Sequence, residues 1–249
     1  MSTSSLADKF DRTERFELAR LSHESLNGKA TVEAEVVRVA VPRLRGVSHQ
    51  IAFVIALPVG IALALSAEGS VARAAAIAFA SSVVGMFGVS TLFHRIDWQP
   101  QAKLWIGRID HTMIYGLIAG TYTPIALLVL HRGWRTPILA IVWGGALIAI
   151  ATKFVWHTAP RWVAPATCVA LGGVALIALP QIFTGVGTGG ALLLLAGGVL
   201  YTAGAVVYAT RWPDPRPATF GYHEIFHSLV IAAVACQYAT VAFYVLPRA

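Results

Sequence analysis

Seven stretches of the chain are apolar without long interruption, near residues 46–66, 72–94, 106–130, 136–156, 162–183, 189–210 and 222–246. A bilayer core of about 30 Å needs about 20 helical residues at 1.5 Å per residue, and each stretch is that long. The second is the least uniform, because Ser81, Ser82 and Ser90 interrupt it. Short polar linkers divide the stretches at Glu68-Gly69, Trp98-Gln99-Pro100, Arg132-Gly133-Trp134, Ala159-Pro160-Arg161, Gly185–Gly190 and Pro213-Asp214-Pro215. Such punctuation ends helices without leaving room for a further domain. The pattern predicts an all-α integral membrane protein, a bundle of seven transmembrane helices over residues 42–249, preceded by a polar tail over 1–41.

Composition agrees with the pattern. Of 249 residues, 57% are hydrophobic and 12% are charged, against about a quarter charged in a soluble domain. Mean hydropathy is +0.67. Phe10, Phe16, Leu18 and Leu21 lie among Arg and Glu in the tail, which reads as a solvated cytoplasmic segment, too weakly amphipathic for a surface helix. The extreme N-terminus has no apolar run after its charges, so no cleavable signal peptide is expected, and the first apolar helix directs insertion. Cys168 and Cys236 both fall inside apolar stretches and read as small packing residues.

The net charge of +7 does not point to nucleic acid. Eight of the nineteen Lys and Arg precede residue 46, and the rest lie mostly at helix ends, where they report topology. With the N-terminus inside, the inner loops carry Arg95, Lys103, Arg108, Lys153, Arg161, Arg211 and Arg216, against Arg73, Arg132, Arg135 and Arg248 outside. The excess predicts a cytoplasmic N-terminus and an outer C-terminus, in a multi-pass protein of the cell membrane (the inner membrane of a bacterium), with membrane lipids as its surroundings.

On that topology the ionisable residues gather at one depth. His223 and His227 open the last helix, four residues apart and therefore on one face. His94 closes the second helix, Asp110 begins the third, and Ser90 and His49 share their level. Ionisable groups at a membrane helix are costly, and convergence from four helices marks a site. Three imidazoles at one depth suit a catalytic zinc, whose fourth position holds water. Asp110 can orient or deprotonate that water, or accept an imidazole N–H; a carboxylate at a helix N-terminus is equally its own explanation. Ser90 can bond within the site or back to its own helix.

Other readings fare less well. His223-Glu224-Ile225-Phe226-His227 has the literal form of a zinc-protease helix, HExxH. The 22 residues after His227, however, contain no His, Asp or Glu, so a third ligand must come from upstream, where His94 is the natural candidate. His111 points about 100° away from Asp110 and reads as a packing or interfacial residue. His131 falls at the opposite end of the third helix, and His157 is a further polar group near the inner end of the fourth. Pro124, within Gly120-Thr121-Tyr122-Thr123-Pro124, predicts a kink in the third helix. Lys153 is the only lysine near a helix interior and the last helix has none, which excludes a retinal Schiff base there.

From about residue 42 onward the chain resembles the hemolysin III family, the bacterial branch of the superfamily that includes adiponectin and progestin receptors. The markers are Pro42-Arg43-Leu44-Arg45-Gly46-Val47-Ser48-His49, Ser90-Thr91-Leu92-Phe93-His94, Arg108-Ile109-Asp110-His111 with Ala119-Gly120-Thr121-Tyr122-Thr123-Pro124, and His223-Glu224-Ile225-Phe226-His227. The resemblance implies a zinc ion near the cytoplasmic face, held by His94, His223 and His227, with Asp110 on its water and Ser90 close by. Wider relatives include alkaline ceramidases, so the reaction class implied is hydrolysis of a lipid amide. In the receptor relatives a glutamine matches Glu224, which argues against an essential role for this carboxylate. The expectation is therefore a zinc-dependent hydrolase of a lipid amide or ester. The alternatives are a membrane-permeabilising or channel-like protein whose zinc only pins helices together, and a sensor.

Overall fold

The computed structural model describes residues 42–156, 159–160 and 162–248. The tail over 1–41, His157 and Arg161 lie outside the described residues. Among the described residues seven α-helices follow in order: α1 (Val47–Ser66), α2 (Ser70–Arg95), α3 (Pro100–Leu128), α4 (Arg132–Val155), α5 (Val163–Gly173), α6 (Leu179–Thr210) and α7 (Tyr222–Thr240). A 3₁₀ turn at Val174–Leu176 prolongs α5, and a π turn (Val241–Val245) with a 3₁₀ turn (Leu246–Arg248) prolongs α7. Among the described residues no strand forms; one isolated bridge joins Arg216 to Phe220 before α7.

The apolar stretches fall on helices, as lipid demands of a backbone that must bond to itself, with the fifth divided between α5, its 3₁₀ turn and the start of α6. By length and composition α1, α2, α4, α6 and α7 with its extension can each cross a membrane, and Val163–Leu176 is a shorter apolar helix. Their outer faces carry Ile51, Val54, Leu65, Leu147, Ile148, Val199 and Phe243, all strongly exposed. A continuous apolar exterior of this extent fits lipid rather than water. The chain is a multi-pass, all-α membrane protein.

The central element is α3. One side packs with α4, α5 and α6 through Tyr115, Tyr122, Ala126, Val142, Ala146, Leu171, Ile182 and Leu194. The other joins α1, α2 and α7 through Leu117, Phe79, Val83, Phe87, Val230 and Val234.

Helix boundaries differ from the pattern in ways that matter. α3 starts at Pro100 rather than near 106, because proline suits the first helical position while polar Gln101 and Lys103 hide the start from an apolarity count. Asp110 is therefore nearly three turns inside α3 rather than at its beginning. The helix-dipole explanation, confined to the first turn, does not apply to it. α4 likewise starts earlier, at Arg132.

The fifth stretch does not run unbroken to 183. The helix breaks before Pro180, which cannot continue the backbone ladder, and resumes at Leu179. Tyr122 patches the break: its hydroxyl accepts from the Ala175 amide at 2.6 Å and donates to the Gly172 carbonyl at 2.6 Å. The glycine-rich linker expected at 185–190 is not a loop. Gly187 alone leaves helical geometry (φ 72°, ψ 172°), and the chain kinks there within α6.

Candidate metal centre

The site forms at the end of the bundle where α2 finishes and α7 begins. His94 is one residue from the end of α2, and His223 and His227 lie in the first two turns of α7. Their donor nitrogens all fall within 4.8 Å of one another, so the three can hold a metal ion. His94 Nε2 and His223 Nε2 are 3.3 Å apart. Two nitrogens on one tetrahedral zinc, at about 2.0–2.1 Å each, are separated by about 3.3–3.4 Å, so this pair is already at ligand spacing. Nδ1 of His223 and Nδ1 of His227 are buried without a hydrogen-bond partner among the described residues. Three imidazole donors gathered at this spacing suit the ligand set of a metal cation.

Around the triad lie the other groups expected at this depth. Asp110 Oδ2 is 4.0 Å from His94 Nε2. Ser90, fully buried, has its hydroxyl 2.8 Å from His49 Nδ1 and also faces the Asp110 carboxyl. The His49 ring stacks on His227, centroids 3.7 Å apart and planes within 8°. His49 thus braces one imidazole of the triad and orients the serine beside the carboxylate, a role its position in the sequence left open.

Glu224 belongs to the frame of the site rather than to its chemistry. One carboxylate oxygen accepts from the Gly221 amide at 2.8 Å, capping α7, while the other meets Arg45 Nε at 2.6 Å. With Glu224 1% exposed, both oxygens are committed, and neither is available as the base of a protease motif. Arg45 belongs to the segment before α1, which also bonds the loop before α7 through Arg43 N to Ala218 O (3.2 Å) and Leu44 N to Thr219 O (3.2 Å). Gly46 completes this junction with φ +75°, and a Cβ there would strike the Cβ of His94. The Pro42–His49 marker therefore fastens α1 against both helices that supply imidazoles.

His111 faces the site more closely than a merely interfacial residue would. Its Nδ1 donates to the Gly107 carbonyl at 2.6 Å, which leaves Nε2 to accept from the Tyr208 hydroxyl at 2.9 Å. The Tyr208 ring lies 5.9 Å from that of His223. Tyr208 escaped the sequence reading; a phenol in the last turns of an apolar helix, level with His223, was the available signal. His131 lies just beyond the other end of α3, as expected, at the residue that precedes α4.

A cavity of about 850 Å³ opens from this centre into the bundle. His49, Ser90, Asp110, His111, Tyr208, His223 and His227 line one end; Leu130, Ile138, Leu179 and Ile182 line the other. From Asp110 to Leu130 is twenty residues of chain, about 30 Å if helical throughout. Between its ends the walls are almost entirely apolar side chains of α3, α5, α6 and α7.

The fold and this site define a class: a polytopic helical membrane protein with three histidines, able to hold a metal, at one end of a long apolar cavity. Residues 38–238 match the family model described as Haemolysin-III related, and the chain belongs to that family. It is 33% identical to a Bacillus cereus protein named Hemolysin-3 over 208 residues, covering 82% of this chain and 91% of the relative. It is 34% identical over 168 residues to a Hemolysin-3 homolog of Bacillus subtilis, covering 67% and 75% respectively.

Proposed function

We propose that the protein is a zinc-dependent integral membrane hydrolase of a lipid amide or ester, working at the cytoplasmic end of the bundle. The observation that carries this reading is the apolar cavity whose polar end is lined by His223 and His227 of the three-imidazole cluster and by Asp110. A channel for acyl chain and a polar end for the bond to be cleaved are what such a substrate needs. The excess of Lys and Arg in alternate loops argues for the cytoplasmic side.

His94, His223 and His227 would hold the zinc, which when bound would supply Lewis acidity toward a carbonyl and would lower the pKa of water to about 7. Asp110 takes the proton of the attacking water and returns it to the leaving nitrogen or oxygen as the carbonyl carbon gains hydroxyl and loses amine or alcohol. Ser90 holds Asp110 in place and is itself held by His49. The acyl chain lies in the cavity and excludes bulk water from the carboxylate. His111 and Tyr208 border the polar end, where a lipid headgroup would meet them.

The name of the Bacillus relatives favours a second reading, a permeabilising or channel-like protein whose metal only joins α2 to α7. The apolar cavity walls argue against it, since they offer a passing ion few ligands.

The test is release of fatty acid from a panel of N-acyl and O-acyl lipids by zinc-loaded protein in liposomes. The hydrolase reading expects at least one lipid to be cleaved, with activity lost on chelation and restored by zinc. Zinc-loaded protein that cleaves none, yet passes ions across the liposome, would replace it with the second reading.

A further inference from the structure

The two helices that supply the imidazoles have little direct hold on each other. Among the described residues the backbones of α2 and α7 scarcely approach one another: α2 packs on α1 and α3, and α7 on α6 and, less extensively, on α1. At the site end two things span the gap between them. One is the imidazoles themselves, with His94 reaching His223 at 3.3 Å. The other is the short segment over residues 42–46, just before α1.

That segment is a strap fastened on both sides. Toward α2, Gly46 at φ +75° lies so close to His94 that any Cβ at position 46 would strike the His94 Cβ. Toward α7, Arg45 Nε donates at 2.6 Å to Glu224, the neighbour of His223 in the chain. The Arg43 and Leu44 amides donate, both at 3.2 Å, to the Ala218 and Thr219 carbonyls of the loop that leads into α7. Turns of its own backbone keep the strap in shape, through Arg45 N to Pro42 O (2.9 Å) and Val47 N to Leu44 O (3.1 Å). Arg43 and Leu44 are exposed, so this tie sits where local opening is easiest.

An ion shared by His94, His223 and His227 would close the same gap from inside. Two ties across one gap assist each other, because the first to form has already ordered α2 against α7 for the second. Such coupling is reciprocal: the strap tightens the ion by the factor by which the ion tightens the strap.

We propose that residues 42–46 form a metal-responsive strap, seated while the three imidazoles share an ion and released when the ion leaves. The inference rests on the triad as a metal site and is independent of hydrolysis. It turns occupancy of a buried site into exposure of a surface segment, and makes displacement of the strap a means of loosening the metal.

The experiment is hydrogen exchange on the purified full chain in nanodiscs, after chelation and again after addition of zinc. Mass spectrometry follows peptides that cover residues 42–50. Zinc is expected to slow exchange of the strap amides about tenfold, while peptides of α4, across α3 from the strap, change little. His227→Ala abolishes the effect. In the reverse direction, Arg45→Gln binds zinc about tenfold more weakly in competition with a chromogenic chelator, and Arg45→Lys recovers part of the loss. Exchange of α4 at the wild-type rate reports an intact fold in each variant. Strap amides that exchange equally with and without zinc, in protein that elemental analysis shows to hold the ion, overturn the inference and leave the metal site standing. Wild-type affinity in a well-folded Arg45→Gln variant does the same. Wild type that binds no zinc removes the metal site, and this inference with it.

Discussion

Asp110→Asn protein is expected to keep its bound metal and to lose lipid hydrolysis by a factor of about 10² to 10⁴, the range for removing a positioned general base. Asparagine preserves the size of the side chain and its approach to Ser90 but cannot take a proton. Since Asp110 stands 4.0 Å from His94 Nε2, beside the three imidazoles and outside their set, the metal content should not change. The loss should appear in kcat with KM little altered, because the acyl chain still fills the cavity. Fatty-acid release and metal content on the same preparation decide the matter. Full activity in the variant would remove Asp110 from the chemistry.

Glu224→Leu is expected to destabilise the protein by about 3 kcal/mol, enough to lower its melting temperature in detergent by several degrees. The substitution leaves the Arg45 guanidinium, only 11% exposed, without its counter-charge, and strips the Gly221 amide of its cap. Because the same carboxylate ties α7 to the segment before α1, metal affinity should fall along with stability. Glu224→Gln should do less harm, since its one amide oxygen can keep either the bond from Gly221 or the bond from Arg45, and its size fills the same space. That ordering separates a positioning role from a catalytic one: a general base would be lost equally in both variants. A Gln variant that is stable, metal-loaded and inactive would contradict the assignment.

The fold was largely legible because lipid imposes a simple rule, an apolar run for each helix, although the fifth run is divided between α5 and α6. The ends of helices were less legible. Apolarity does not report where a helix begins in polar surroundings, so the start of α3 at Pro100 was placed six residues late and Asp110 was mistaken for a terminal residue. Nor does apolarity distinguish a kink from a loop: a single residue, Gly187, bends α6 where six residues suggested a linker.

In the site, the four-residue spacing of His223 and His227 and the common depth of His94 and Asp110 pointed to groups that the structure gathers in one place. What a one-dimensional pattern cannot carry is which partner a side chain finds across the bundle. The stacking of His49 on His227, the pairing of Arg45 with Glu224 over 179 positions of chain, and the bond from Tyr208 to His111 all depend on helix rotation.

Elemental analysis of the purified protein, prepared without chelators, tests the central claim most directly. It is run on wild type beside His94→Ala, His223→Ala and His227→Ala. The account predicts about one zinc per chain in wild type and almost none in each variant, since a three-imidazole site that loses one ligand loses most of its affinity. Wild-type protein without metal, or zinc that persists through all three substitutions, would contradict it.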